Sequence, residues 1–196
     1  MEGARRTIYL ENQAVPVPAV AGWLEAALAR CVEVVLLVPA EPEGAVARWR
    51  RGDSEEGRAL FAALAALGRF PTFTLAGLAA RDAAGRRRAV YVHAKAMLVD
   101  DAWLTLGSCN LHRRSLSGHS ELNAAVWDPA VARGLRVALF AEHLGRDTAG
   151  LDDRAALRLF AGTARRNRDR LRAGEADWPG LAVALDPDRY GETPVF

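Results

Sequence analysis

Apolar runs alternate with Ala- and Leu-rich segments along the first two thirds of the chain. Residues 32–38 form an apolar run rich in β-branched residues that ends at Pro39, which is typical of a buried parallel strand. Residues 7–10, 70–75 and 122–127 predict further strands, whereas 20–29 and 56–67 have the composition of helices. The alternation predicts an α/β fold with a mixed, mostly parallel central sheet flanked by helices.

The last third of the chain predicts helices and then an irregular tail. Pro129 suits the first turn of a helix, and Asp152-Asp153 can cap a long helix that runs to about Leu171. From Trp178 onwards Pro and Gly punctuate the sequence, which predicts irregular structure. We therefore divide the chain into a domain of residues 1–150 and a C-terminal segment, residues 151–196, packed on it.

A hairpin is predicted around Asp100-Asp101. Two apolar strands, residues 89–99 and 102–106, meet at this pair of turn-forming residues. If the turn is centred there, Val99 lies opposite Ala102. This register predicts which residues further out along the two strands face each other.

The predicted register gathers polar residues at the open end of the hairpin. His93 and Lys95 share one face because side chains alternate along a strand. Counting outward places His93 opposite Ser108, with Asn110 just past the strand end. Asp100 falls on the other face, at the turn, so we expect it to shape the hairpin. A histidine beside a fixed positive charge suits chemistry on a phosphodiester.

These residues carry a resemblance to the phospholipase D superfamily. The superfamily motif, H-x-K-x4-D followed by G-S-x-N, is complete here as His93, Lys95, Asp100, Gly107, Ser108 and Asn110. Residues 114–115 and 120–123 resemble the segment that follows the motif in phospholipases D and cardiolipin synthases. Residues 8–13 and 34–39 resemble strands of the second catalytic half of phospholipases D. The resemblance covers roughly residues 7–145.

The resemblance implies a metal-independent phosphodiesterase without a cofactor. One motif histidine attacks phosphorus to give a phosphohistidine, while a second donates a proton to the leaving oxygen. Lys95 would bind non-bridging oxygens, and Asn110 and Ser108 would donate further hydrogen bonds. Glu121 would fix the tautomer of a histidine. The implied catalytic set is His93, Lys95, Asp100, Ser108, Asn110 and Glu121.

Other polar residues near the motif are candidates for binding substrate. Arg113 and Arg114 follow the motif and suit an anionic substrate. Asn12 and Gln13 are candidates on the opening strand, although they could instead cap the loop that follows. The remaining histidines (His112, His119 and His143) are expected to be polar surface residues, and Cys109 is expected to be a small packing residue.

Composition permits this interpretation without adding to it. The net charge of +2 neither requires nor excludes nucleic acid. We interpret Cys31, in an apolar context, and Cys109 as reduced thiols. No apolar run approaches the roughly 20 residues that span a membrane. The expected location is the cytoplasm, which is compatible with association at a membrane surface.

Three hypotheses remain open, because the chain carries the motif once and shows no internal repeat. The first is the C-terminal catalytic half of a phospholipase D or cardiolipin-synthase-like enzyme, which hydrolyses a phospholipid phosphodiester or transfers it to an alcohol. The second is a homodimeric single-motif nuclease, in which two-fold symmetry brings the two histidines together. The third is an inactive half-domain or partner subunit. In the first two, a second motif-bearing domain or subunit completes the site.

Overall fold

A computed structural model describes residues 1–42, 44–52 and 54–196. Its strands are β1 (Thr7–Asn12), β2 (Glu33–Leu37), β3 (Phe73–Arg81), β4 (Arg87–Val90), β5 (Lys95–Val99), β6 (Trp103–Gly107), β7 (Asn123–Val126) and β8 (Ala182–Ala184). Its helices are α1 (Pro18–Ala29), α2 (Gly44–Arg51), α3 (Glu55–Gly68), α4 (Arg113–Ser117), α5 (Pro129–Leu144) and α6 (Asp153–Arg172).

One mixed sheet runs through the molecule in the order β4-β3-β2-β1-β5-β6-β7, and β8 also pairs with β3. The α/β class and the mixed sheet flanked by helices are confirmed. The expected predominance of parallel pairing is wrong. Within the described residues only β1–β2 and β2–β3 are parallel, because hairpins and return strands extend the sheet on both sides of this pair.

The buried strand predicted over 32–38 is confirmed as β2, which lies between β1 and β3 and pairs in parallel with both. The single strand predicted over residues 89–99 is divided in two: its first residues end β4, an arginine-rich strand, residues 91–94 have no regular structure, and β5 follows. β8 was not predicted, because it lies in the tail predicted to be irregular. Tertiary pairing explains both β4 and β8, because each extends β3 although its own sequence is short and weakly patterned.

Two hydrophobic cores cover the two faces of the sheet. On one face α1 and α3 pack over β1 to β3 around Leu24, Leu36 and Leu64. On the other, α5 and α6 bury Phe140 and Phe160 against β1, β5 and β6. The longest helix, α6, carries many arginines, and nowhere in the described ranges is a helix long and apolar enough to cross a membrane.

The turn between β5 and β6 differs from its predicted register by one residue. Val99 lies opposite Trp103, not Ala102, so Ala102 is an extra residue in the connection. Asp100 and Asp101 both have positive φ angles, 55° and 50°, which aspartate tolerates better than most residues. The prediction that His93 lies opposite Ser108 is therefore wrong. β5 also begins only at Lys95, and His93 precedes the paired strand.

Both turn aspartates anchor the hairpin to other elements. The Asp100 carboxylate accepts hydrogen bonds from the backbone N–H groups of Arg5, Arg6 and Thr7, at 2.7–2.8 Å. Asp101 forms a bidentate ion pair with Arg136 of α5, whose side chain is 1% exposed. The turn is thus tied to the start of β1 on one side and to α5 on the other.

Candidate active site

The candidate site lies where the end of β1 meets the start of β5. Asn12, the last residue of β1, pairs with Lys95, the first residue of β5. The loop that follows β6 reaches the same edge, since Leu111 N–H donates to Asn12 Oδ1 at 3.2 Å. Three chain segments far apart in sequence therefore meet at this edge of the sheet.

Gln13 is the hub of polar contacts at this edge. Its Oε1 accepts from Lys95 Nζ at 3.0 Å and from Asn110 Nδ2 at 3.4 Å, and its Nε2 donates to the Tyr91 hydroxyl at 2.7 Å. Gln13 thereby connects the motif lysine to the motif asparagine. Tyr91 was not predicted as a site residue. Its only local signal is its position two residues before His93.

His93 is exposed beside this hub. Its ring stacks with Tyr91 at a centroid distance of 6.2 Å, and its backbone oxygen accepts from Lys95 Nζ at 2.7 Å. The ammonium of Lys95 therefore lies close to the backbone of His93 and faces the same edge. Within the described ranges we find no hydrogen bond from the His93 ring to Glu121.

Asn12 and Asn110 are held inside the loops. Asn12 is buried, and its Oδ1 accepts from the backbone of Ala14 and of Leu111, which ties the β1 end to the loop after β6. Asn110 is half-buried, and its Oδ1 is a buried acceptor that has no hydrogen-bond partner in the described part of the chain. An unpaired buried acceptor costs free energy, so such a group in a native structure points to a function. This one adjoins the Gln13 hub.

Ser108 and Glu121 form a second polar pair next to the hub. Ser108 Oγ donates to Glu121 Oε2 at 2.5 Å and accepts from the N–H of Leu122. The hydrogen bonds from Ser108 and Ser115 lower the pKa of Glu121. Glu121 thus stays an ionised acceptor at the mouth of the site.

Gly107 is required by close packing in the same region. A Cβ there would lie 2.1 Å from Asn123 Oδ1 and 2.3 Å from the carbonyl oxygen of Leu122. Since Cys109 N–H also donates to Asn123 Oδ1, the glycine lets β7 come close enough to hold the loop that carries Ser108 and Asn110.

The other candidates surround the hub. Arg113 and Arg114 begin α4 and are exposed, and His112 caps this helix by accepting from Ser115 N–H at 3.2 Å. Burial raises the pKa of the Cys109 thiol, which disfavours the thiolate. Cys31 is exposed, not enclosed by apolar residues, because it sits in a tight turn with φ 63°.

A buried polar network of His143, Tyr9 and Glu11 lies beneath the site and was not predicted from the sequence. His143, expected on the surface, is buried because the end of α5 packs against β1. Its Nδ1 lies 3.0 Å from the Tyr9 hydroxyl, which donates to Glu11 Oε1 at 2.8 Å. The phenol has a single hydrogen, so a neutral His143 must donate from Nδ1. Only part of this network has a local signal: Tyr9 and Glu11 alternate with apolar residues on a buried strand, whereas nothing near His143 in sequence indicates its burial.

Burial gives this network opposite pKa shifts. Desolvation lowers the pKa of His143 and raises the pKa of Glu11. Between the ordinary histidine pKa, about 6.5, and its lower folded value, the unfolded chain binds more protons. The contribution of His143 to stability is therefore complete above that range and is lost as the pH falls through it. Glu11 acts in the opposite sense, because its contribution is lost as the pH rises through its raised pKa.

We expect His143→Gln to flatten the decline in unfolding free energy between pH 7 and pH 5. Gln can still hydrogen-bond to the Tyr9 hydroxyl but does not titrate. Urea unfolding at half-unit pH steps measures the slope for both proteins. Equal slopes in the two proteins would show that His143 does not titrate between pH 5 and pH 7. His119→Gln, on an exposed histidine, serves as the control for the substitution itself.

Comparison with known proteins places the chain in a family. The model for the family described as "Cardiolipin synthase, PLD-like domain" matches residues 1–142. Phospholipase D alpha 1 of Spuriopimpinella brachycarpa is 38% identical over 84 residues, which cover 37% of this chain and 10% of that protein. Phospholipase D alpha 2 of Oryza sativa subsp. japonica is 40% identical over 73 residues, which cover 31% and 9%.

The chain therefore belongs to the cardiolipin synthase, PLD-like domain family, which confirms the resemblance found in the sequence. It spans about a tenth of the length of the plant phospholipases. The structure of NucT from Helicobacter pylori superposes with a TM-score of 0.52 at 14% identity, covering 69% of this chain and 77% of that one. That similarity supports the α/β fold.

Proposed function

We propose that this chain is a metal-independent phosphodiesterase acting on phospholipid phosphodiesters, with an active site completed by a second His-Lys motif. The observation that carries the proposal is the convergence of Lys95 and Asn110 on Gln13 beside an exposed His93. The arrangement offers a nucleophile, a cation and amide donors at one edge of the sheet, which are the groups that phosphoryl transfer requires.

The first step forms a bond between an imidazole nitrogen of His93 and phosphorus. The bond from phosphorus to the leaving alcohol breaks, and a protonated histidine of the second motif gives its proton to that oxygen. In the second step water, or an alcohol acceptor, attacks phosphorus and loses its proton to the same histidine. His93 then leaves as a neutral ring.

The remaining residues stabilise charge or hold position. Lys95 neutralises non-bridging oxygens, and Asn110 donates from its amide once substrate displaces it from Gln13. Arg113 and Arg114 attract the anionic substrate at the mouth. Glu121, kept ionised by Ser108, accepts from the histidine of the second motif and fixes its tautomer. Asp100 acts on the hairpin, and Asn12 on the loops.

A second copy of the chain is one source of the second motif. β7 is an edge strand of the sheet, and edge strands present unpaired backbone groups. Around it Leu122 is 82% exposed and Trp127 is 84% exposed, which is unusual for large apolar side chains. Leu122 directly follows Glu121, so a partner seated on this edge would reach the site. We call these residues the β7 surface.

The substrate proposal draws on the family. The match to a cardiolipin synthase domain and the similarity to plant phospholipases D favour a phospholipid. A homodimeric nuclease is the second candidate, and the single motif together with the β7 surface favours it. A domain of residues 1–150 with a packed C-terminal segment remains our proposed organisation.

One experiment tests the proposal and separates the candidates. The purified chain is tested with phosphatidylcholine or phosphatidylglycerol vesicles, single-stranded DNA and a chromogenic phosphodiester, each with and without EDTA, while light scattering gives the mass. We expect lipid turnover that survives EDTA and falls on dilution as dimers dissociate. Trp127→Asp should reduce both mass and turnover, whereas Trp23→Asp, on the exposed face of α1, should change neither.

The outcomes are distinct. Cleavage of DNA without lipid turnover would support the nuclease and overturn the lipid proposal. An inactive monomer that gains activity with a separate motif-bearing chain would move the second histidine to another protein. Loss of activity with EDTA that returns on adding metal would contradict metal independence.

A further inference from the structure

The chain beyond the family match is part of the same fold. The match ends at residue 142, yet α6 buries Phe160 against Tyr9 of β1. β8 then extends β3, and Leu181 N–H donates to the His143 carbonyl oxygen at 2.7 Å. β8 runs antiparallel to β3, and therefore also opposite to β2 and β1, so it leads away from the edge where β1 and β2 end. The turn that follows brings the Tyr190 side chain back to that edge.

Residues 186–192, which we call the strap, are fixed at that edge by three contacts. The buried Tyr190 hydroxyl donates to the carbonyl oxygen of Pro39, just after β2, at 2.9 Å. Arg50 of α2 donates to the backbone oxygen of Asp188 and forms an ion pair with Glu192 at 2.5 Å. The strap therefore joins the loop after β2 to α2.

The strap adjoins the candidate site by two routes. β2 ends at Leu37, which pairs with Glu11, only two residues before Gln13. Burial raises the pKa of the Tyr190 hydroxyl, and the phenol of Tyr91 adds a smaller contribution to that rise. Tyr91 in turn accepts the hydrogen bond from Gln13, which holds Lys95.

We infer that the strap is a positioning element, with Tyr190 holding the loop after β2 beside the end of β1 so that Gln13 keeps Lys95 in place. The strap lies outside the part of the chain that matches the family model. This inference rests on the proposed function for its effect on turnover, but its structural content does not depend on the reaction.

Hydrogen exchange measured by mass spectrometry tests the strap without any substrate. In Tyr190→Ala we expect peptides over residues 12–14 and 91–94 to exchange at least about 5-fold faster, the lower end of the range for loss of one buried hydrogen bond, because the buried ring is lost as well. Tyr190→Phe keeps the ring and should give a smaller rise in the exchange rate. Glu192→Gln removes the ion pair with Arg50 of α2, so it should also raise the exchange rate. Arg158→Gln removes the ion pair with Glu33 elsewhere on the surface and is the matched control.

Turnover of the chromogenic phosphodiester gives the second readout. A positioning role predicts that Tyr190→Ala lowers kcat more than it raises KM, with partial recovery in Tyr190→Phe. Unchanged exchange over 91–94, while the strap itself exchanges faster, would overturn the inference, and so would an equal rise in Arg158→Gln. A wild-type chain with no activity would count against the proposed function alone, since the exchange result stands without it.

Discussion

His93→Ala is expected to abolish turnover, with a fall on the order of 10³-fold or more, as for removal of other nucleophiles. The ring supplies the nitrogen that forms the bond to phosphorus. Because His93 is exposed, its loss should leave the free energy of unfolding within about 0.5 kcal/mol. Steady-state kinetics with a chromogenic phosphodiester, beside urea unfolding, measures both quantities.

A covalent intermediate gives an independent check of the same prediction. Rapid quench in denaturant at alkaline pH, where the N–P bond is stable, followed by peptide mass spectrometry should find a phosphoryl adduct on the peptide that contains His93 and none in the variant. His119→Ala, another exposed histidine, should keep near-normal turnover. An active His93→Ala protein, or an adduct on another residue, would sink the assignment of the nucleophile.

Arg136→Met is expected to lower the free energy of unfolding by about 3–5 kcal/mol. The substitution leaves Asp101 without the bidentate partner that neutralises it. Arg136 also donates to Thr148 Oγ1 and to the Leu151 carbonyl oxygen, which lose this donor. For a chain of this size the loss corresponds to a melting temperature lower by about 6–20 °C. Calorimetry or urea unfolding measures it.

Two controls separate the buried charge from loss of packing. Arg158→Met removes an ion pair whose arginine is 63% exposed, and should cost less than about 1 kcal/mol. Asp101→Asn combined with Arg136→Met should recover part of the loss, since asparagine tolerates the left-handed backbone and carries no charge. A double variant as unstable as the sum of the single changes would show that the ion pair is not the cause.

The sequence could predict elements whose pattern is local. The apolar run of β2 and the proline at the start of α5 each carry their own signal, and both fall where expected. In the motif strand only the part from Lys95 to Val99 is paired as predicted in kind, and His93 lies before it. The predicted register of the turn was wrong by one residue, because two aspartates can form either a two-residue connection or one with an extra residue. That choice depends on what the aspartates bind, namely the N-terminal backbone and Arg136, and neither partner is near in sequence.

The site was predictable in its residue types but not in its pairings. The sequence identified Gln13, Ser108 and Glu121, yet the structure pairs Ser108 with Glu121 and Gln13 with Lys95. Such pairings depend on how β1, β5 and the loop after β6 meet, which requires the whole sheet. The burial of His143 and the contact of Tyr190 with Pro39 depend on packing between distant segments, so no local pattern could reveal them.

Because the turn is anchored, the spacing of the motif residues corresponds to a fixed distance along the sheet. Asp100 is held at the start of β1, and Lys95 is delivered to the other end of the same strand, where β1 finishes at Asn12. The five steps from Lys95 to Asp100 therefore measure out one strand against its neighbour, about 17 Å at 3.4 Å per residue. Inserting a residue between Lys95 and Asp100 would place the lysine on the opposite face of the sheet or force a bulge. The spacing of the motif therefore determines where the positive charge lies.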